Sequence, residues 1–105
     1  MLYQLTLTIH GRVQGVFFRE STCAEARQLG LVGSVENNAG GTVSVVAEGP
    51  KEKLEQLKKF CQAGPPYAKV ERVEEEWREI KKLGFVGFLS KSSHDNWRIV
   101  TFLLQ

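Results

Sequence analysis

Tyr3-Gln4-Leu5-Thr6-Leu7-Thr8-Ile9-His10-Gly11-Arg12-Val13-Gln14-Gly15-Val16-Phe17-Phe18-Arg19 is the stretch that decides the fold. Up to His10 it alternates: Tyr3, Leu5, Leu7 and Ile9 fall on one face, Gln4, Thr6, Thr8 and His10 on the other. Period two is the pattern of a strand with one buried face. A loop bearing Gly11 and Gly15 follows, and over 19–29 the residues Cys23, Ala26 and Leu29 recur at helical spacing, with Gly30 placed to close the helix. A strand, a glycine-bearing loop and a helix start form an arrangement that holds anions. The first N–H groups of a helix have no partner within it, and the helix dipole presents its positive end there. Arg19 adds a planar guanidinium fork beside that helix start.

Further along, valine-rich segments at 33–37 and 42–47 flank the turn-forming cluster Asn38-Ala39-Gly40-Gly41, which predicts a hairpin with Val43, Val45 and Ala47 on its inner face. Pro50 suits the first turn of a second helix, where its missing N–H is no loss, and Leu54, Leu57, Phe60 and Cys61 give that helix an apolar stripe. Glu52 near its start and Lys58-Lys59 near its end match the helix dipole. Gly64-Pro65-Pro66 ends it, and 69–77 reads as a strand charged along one face, as an edge strand is. The order is βαββαβ. Two helices on one face of an antiparallel sheet bury these stripes together, so the expected fold is α+β, a two-layer sandwich of ferredoxin-like topology. A last strand falls at either 84–89 or 97–104, which makes 91–105 either that strand or a C-terminal extension.

A chain of 105 residues, 42% apolar and 25% charged, is expected to form one globular domain over 1–105. It has neither an apolar run of membrane-spanning length nor a signal-type N-terminus, so the expected setting is cytoplasmic, with no membrane partner. Its 14 basic and 12 acidic residues leave a formal charge of +2, too balanced for a nucleic-acid partner. An RNA-binding sheet also needs aromatic residues on its exposed face, where the first strand offers Gln4, Thr6, Thr8 and His10.

Chemistry-bearing residues are few. Cys23 and Cys61 fall among apolar helix positions and read as buried reduced thiols, and His10 and His94 have no second metal ligand at a fitting spacing, so no metal site is expected. Glu36 and the run Glu74-Glu75-Glu76 read as solvated charge, and no serine or cysteine is matched with a base. The loop lacks both the Gly-Lys-Ser/Thr ending of a nucleotide P-loop and the three glycines of a dinucleotide site, so no nucleotide cofactor is expected. Phe17 and Phe18 read as core. Asn37 and Asn38 read, on chemistry alone, as turn residues.

The run Gly11 to Arg19, followed by Leu29-Gly30-Leu31-Val32-Gly33, Val35 and Asn37, then Gly41, Val43, Val45 and Glu48-Gly49, resembles the acylphosphatase family. The resemblance extends without a gap over about 3–75, including Gly64-Pro65-Pro66 and Ala68-Lys69-Val70. It implies the same ferredoxin-like sandwich and the metal-free hydrolysis of acyl phosphates to carboxylate and inorganic phosphate, by a small monomeric enzyme without cofactor. It places the family's phosphate-binding arginine on Arg19 and its phosphate cradle on the backbone amides of Gln14, Gly15, Val16, Phe17 and Phe18. It places the water-orienting asparagine on Asn37, and Asn38 keeps its turn reading. One departure is Ser34, where many members carry a large aromatic residue, and the expected consequence is looser packing beside Asn37. A second function on the same fold is a phosphate-sensing module that binds without turnover.

Overall fold

The computed structural model describes residues 1–91; the candidate last strand at 97–104, the rest of the expected tail and His94 lie outside the described residues. Seven elements follow in order: β1 (Leu2–Arg12), α1 (Phe18–Gln28), β2 (Val32–Asn37), β3 (Val43–Pro50), α2 (Lys51–Ala63), β4 (Lys69–Ile80) and β5 (Phe88–Lys91). The strands form one sheet in the order β4-β1-β3-β2-β5. The expected βαββαβ frame is there, and its four strands are antiparallel throughout.

The alternation in the opening stretch has the consequence that period two requires. Leu5, Leu7 and Ile9 are fully buried beneath the helices, as are Val43, Val45 and Ala47 of β3 and Val35 of β2. Leu54, Leu57 and Cys61 of α2, with Phe18, Cys23 and Ala26 of α1, close that core from the other layer. Each large aliphatic side chain removed from water there contributes roughly 1.5–3 kcal/mol before its ordering entropy is counted. Both cysteines are buried free thiols; burial pushes Cys61 up to about 12, against a hydrogen bond with the Thr22 hydroxyl.

The fifth strand changes the expected all-antiparallel sheet into a mixed one. β5 runs parallel to β2, pairing Gly33 with Phe88 and Glu36 with Lys91. The cause lies in the path between strands: β4 and β5 occupy opposite edges, so residues 81–87 cross the end of the sheet and enter β5 in the direction of β2. Glu48, only 4% exposed, holds that crossing in place. Its carboxylate accepts from the Gly84 N–H at 2.6 Å and from Gln4 Nε2 at 2.7 Å. At the far side the Gly33 N–H donates to the Gly87 carbonyl at 2.9 Å. Gly33, with φ 143°, sits so close to β3 that a Cβ would collide with the Val46 carbonyl oxygen. Pro50 ends up one residue earlier than expected, as the extended residue before α2, and β4 continues to Ile80, beyond the expected limit at 77.

Candidate active site at the start of the first helix

β1 ends in a register irregularity against β4 between His10 and Gly11, which redirects the chain into the loop. In that loop Gly15 (φ 74°) and Phe17 (φ 65°) are left-handed, whereas Val16 between them is not. Alternation of this kind turns successive N–H groups toward one side and builds an anion-binding concavity. α1 then starts without a side-chain cap, and its first turn bond runs from the Ser21 N–H to the Phe17 carbonyl at 3.0 Å. The N–H groups of residues 18–20, which precede that bond, therefore have no partner within the helix.

A cavity of about 160 Å³ opens at this helix start, lined by Val13, Gly15, Phe17, Phe18, Arg19, Glu20 and Asn37. Arg19 and Asn37, 18 positions apart in sequence, thus meet at one cavity, one from the first turn of α1 and the other from the last residue of β2. Period two explains why Asn37 points there: it shares the helix-side face of β2 with buried Val35. Its Oδ1 is the one buried side-chain polar atom without a hydrogen-bond partner among the described residues. None of the ion pairs among the described residues engages Arg19. A cation without a carboxylate partner and an acceptor without a donor thus line one small cavity at a positive helix end. Such a set can bind an oxyanion and hold a water beside it.

Two expectations, for Phe17 and for Ser34, need correction. Phe18 is core at 1% exposure, but Phe17 is 65% exposed, because its left-handed backbone turns it away from the layer that Phe18 enters. Of the loop residues expected to cradle phosphate through their backbone amides, Gly15, Phe17 and Phe18 line the cavity. The Val16 side chain is buried in the core, and the Gln14 side chain turns to the β2–β3 turn, donating from Nε2 to the Asn38 carbonyl at 2.8 Å and the Thr42 carbonyl at 2.9 Å. Ser34 does not loosen the packing beside Asn37: it lies on the opposite face of β2, only 5% exposed, level with Val46 of β3 and Leu89 of β5.

Asn38 keeps its turn role, with Nδ2 donating to Thr42 Oγ1 and Ser44 Oγ and its N–H to the Thr42 carbonyl. His10 lies away from the cavity, its Nε2 2.7 Å from Glu74 on the open face of the sheet. The sequence did not single out Glu20, since an acidic residue in a first helical turn is ordinary. Its place on the cavity wall depends on where the loop delivers the helix.

A family model for acylphosphatase matches residues 5–89. The acylphosphatase of Thermococcus kodakarensis is 50% identical over 82 residues, covering 78% of this chain and 88% of that protein. That of Saccharopolyspora erythraea is 46% identical over 88 residues, covering 84% and 92%. Among solved structures, the acylphosphatase from Bacillus subtilis superposes with a TM-score of 0.80 at 33% identity, over 87% of this chain and 99% of that one. Fold and cavity define a ferredoxin-like sandwich with a small polar cavity at a helix start. The chain belongs to the acylphosphatase family.

Proposed function

We propose that this chain hydrolyses acyl phosphates in the cavity at the start of α1, with Arg19 and the loop N–H groups holding the phosphoryl oxygens and Asn37 orienting the attacking water. The observation that carries this reading is the meeting of the ion-pair-free Arg19 and the partnerless Asn37 Oδ1 at one cavity.

Water adds to phosphorus while the bond from phosphorus to the carboxyl oxygen breaks. The electron pair leaves on the carboxylate, and the water's proton passes to the phosphate. A carboxylate is a good leaving group, so no strong general acid is required. What the reaction needs is charge stabilisation and alignment. Preorganised donors aimed at the phosphoryl oxygens supply the first, and a guanidinium pairs with two of those oxygens at once. Asn37 supplies the second: its Oδ1 accepts from the water and its amide donates to a phosphoryl oxygen. The cradle is formed by the N–H groups of Gly15, Val16, Phe17 and Phe18, supported by the alternating handedness of the loop. Gln14, whose side chain is turned elsewhere, contributes at most its own N–H.

On this reading the chain works as a single metal-free domain over 1–105, as a monomer, in the cytoplasm. Two buried thiols, which suit a reducing compartment, support that setting. No helix among the described residues is long and apolar enough to cross a membrane.

The test is hydrolysis of benzoyl phosphate in excess EDTA by wild type, Arg19→Ala, Arg19→Lys and Asn37→Ala. Arg19→Ala is expected to lose phosphate inhibition and turnover together, and Arg19→Lys to fail as well, because a point charge cannot reproduce the fork. Asn37→Ala is expected to lose turnover by about 100-fold or more while phosphate inhibition stays near the wild-type level. A folded wild type that binds phosphate without turnover would instead be the sensing module, and activity abolished by EDTA would remove the metal-free mechanism.

A further inference from the structure

The cavity has two walls of different origin, the loop and first turn of α1 on one side and Asn37 at the end of β2 on the other. Something must hold them at a fixed separation. Gln14 stands in the loop, two residues beyond the end of β1. Both N–H bonds of its amide are used, one on the Asn38 carbonyl at 2.8 Å and one on the Thr42 carbonyl at 2.9 Å. These carbonyls are the two acceptors that close the β2–β3 turn itself: Asn38 O also accepts from the Gly41 N–H at 3.1 Å, and Thr42 O from the Asn38 N–H at 2.8 Å. Each carbonyl therefore carries one bond from within the turn and one from Gln14. Among the described residues no other hydrogen bond joins the loop at 13–17 to this turn. The Asn38 side chain stiffens the turn from within through Thr42 and Ser44, so the object Gln14 grips is rigid.

We propose that Gln14 acts through its side chain as a positioning residue: it clamps the anion loop to the turn that follows Asn37 and thereby sets the distance between bound phosphate and oriented water. This rests on the acyl-phosphate reading of the cavity. The residue does not touch the substrate through that amide. Its effect is geometric, and a displacement on the order of 1 Å at a reacting centre costs about 100-fold in rate. Arg19, the helix start and the loop N–H groups all lie on the same side of the clamp, so cutting it is expected to shift that wall as a unit relative to Asn37 and to leave phosphate affinity nearly unchanged.

Two variants test this. Gln14→Met keeps the length and removes both donors; kcat is expected to fall by about 10- to 100-fold, with the inhibition constant for inorganic phosphate within about threefold of wild type. Gln14→Glu sets a carboxylate against two carbonyl oxygens at neutral pH, but when protonated it donates one hydrogen bond. Its activity relative to wild type at the same pH is expected to climb as pH falls from 8 to 5, a trend that loss of packing alone would not produce.

An independent reading comes from NMR. Inorganic phosphate is expected to shift the Asn37 side-chain amide signals in wild type, and to shift them less in saturated Gln14→Met. Wild-type kcat in Gln14→Met, parallel loss of turnover and phosphate affinity, or a flat pH ratio in Gln14→Glu would each overturn the clamp. An inactive wild type would overturn the acyl-phosphate reading instead, and the NMR comparison would then decide the clamp alone. Should Gln14→Met fail to fold, the pH ratio of Gln14→Glu decides it.

Discussion

Phe17 is two unfavourable things at once, a bulky side chain in the left-handed region and an apolar ring largely in solvent. Left-handed backbone costs an ordinary residue about 1–2 kcal/mol, whereas glycine adopts it freely and loses roughly 0.5–1 kcal/mol through its greater freedom when unfolded. Phe17→Gly is therefore expected to leave the fold as stable as wild type or up to about 1 kcal/mol more stable, measured as the urea midpoint at constant slope. A loss of more than about 1 kcal/mol would show that the ring's remaining contacts outweigh the backbone. The same residue marks where sequence reading stops. A phenylalanine pair beside a helix start reads as core, and only Phe18 is, because the sign of φ at Phe17 depends on how the loop must meet α1. Asn37 and Asn38 are likewise indistinguishable as isolated side chains. Only resemblance to the family sets them apart in the sequence, and the strand's face accounts for where each side chain lies, Asn37 at the cavity and Asn38 in the turn.

At the scale of elements, local pattern was enough for β1, both helices and the β2–β3 hairpin, since each carries its periodicity within a few residues. β5 was not readable in that way. The segment 84–89 is apolar and short, and its pairing partner is fixed by a crossing from the opposite sheet edge, with Glu48 as the anchor. Nothing local records that path. Once in place, β5 is held by more than its ladder: the Phe88 carbonyl accepts from Arg27 Nε at 3.2 Å and Nη2 at 2.9 Å, and its ring is 1% exposed. Phe88→Ala is expected to cost about 3–5 kcal/mol by thermal or urea unfolding, as deletion of a buried aromatic does. A cost below about 1 kcal/mol would mean that β5 is an ornament on a four-stranded fold. The Gln14 clamp belongs to this scale too, because a glutamine in a loop carries no signal of the turn it reaches.

For the molecule as a whole, the exposed charges join α2 to the edge strand β4. Lys58 is held above its ordinary range first by its hydrogen bond to Glu55, then by Glu75, while Glu75 is held low first by the Trp77 indole N–H and then by Lys58. Glu74 is held low by its hydrogen bond to His10. A carboxylate whose pKa is lowered on folding adds stability that is complete above its ordinary value of 4.5 and is lost as pH falls through the depressed folded value. Lys58 does the reverse, adding stability below 10.5 that is lost as pH rises through its raised value. Stability is therefore expected to be level from 4.5 up to the ordinary thiol value of 9.0, above which the raised buried thiols and then Lys58 count against the fold, and to decline on the acid side, with a shallower decline in Glu75→Gln, read from urea midpoints across pH. An acid limb identical in Glu75→Gln and wild type would assign the loss to other carboxylates. The effect is small because these groups are exposed.

The place of β1 in the sheet has a consequence in time. The earliest strand of the chain is not an edge but an interior one, flanked by β3 and β4, and Leu2 pairs with both Pro50 and Ile80. During synthesis β1 leaves the ribosome before β3 and β4, the strands it pairs with, and must wait, with its apolar face unmatched, until they have followed it. Closure over such sequence separations is slow, on the order of milliseconds to seconds for sheet-dominated topologies. The polar half of the alternation, Gln4, Thr6, Thr8 and His10, then serves the unfinished molecule as well as the finished one, by keeping that waiting strand half water-soluble.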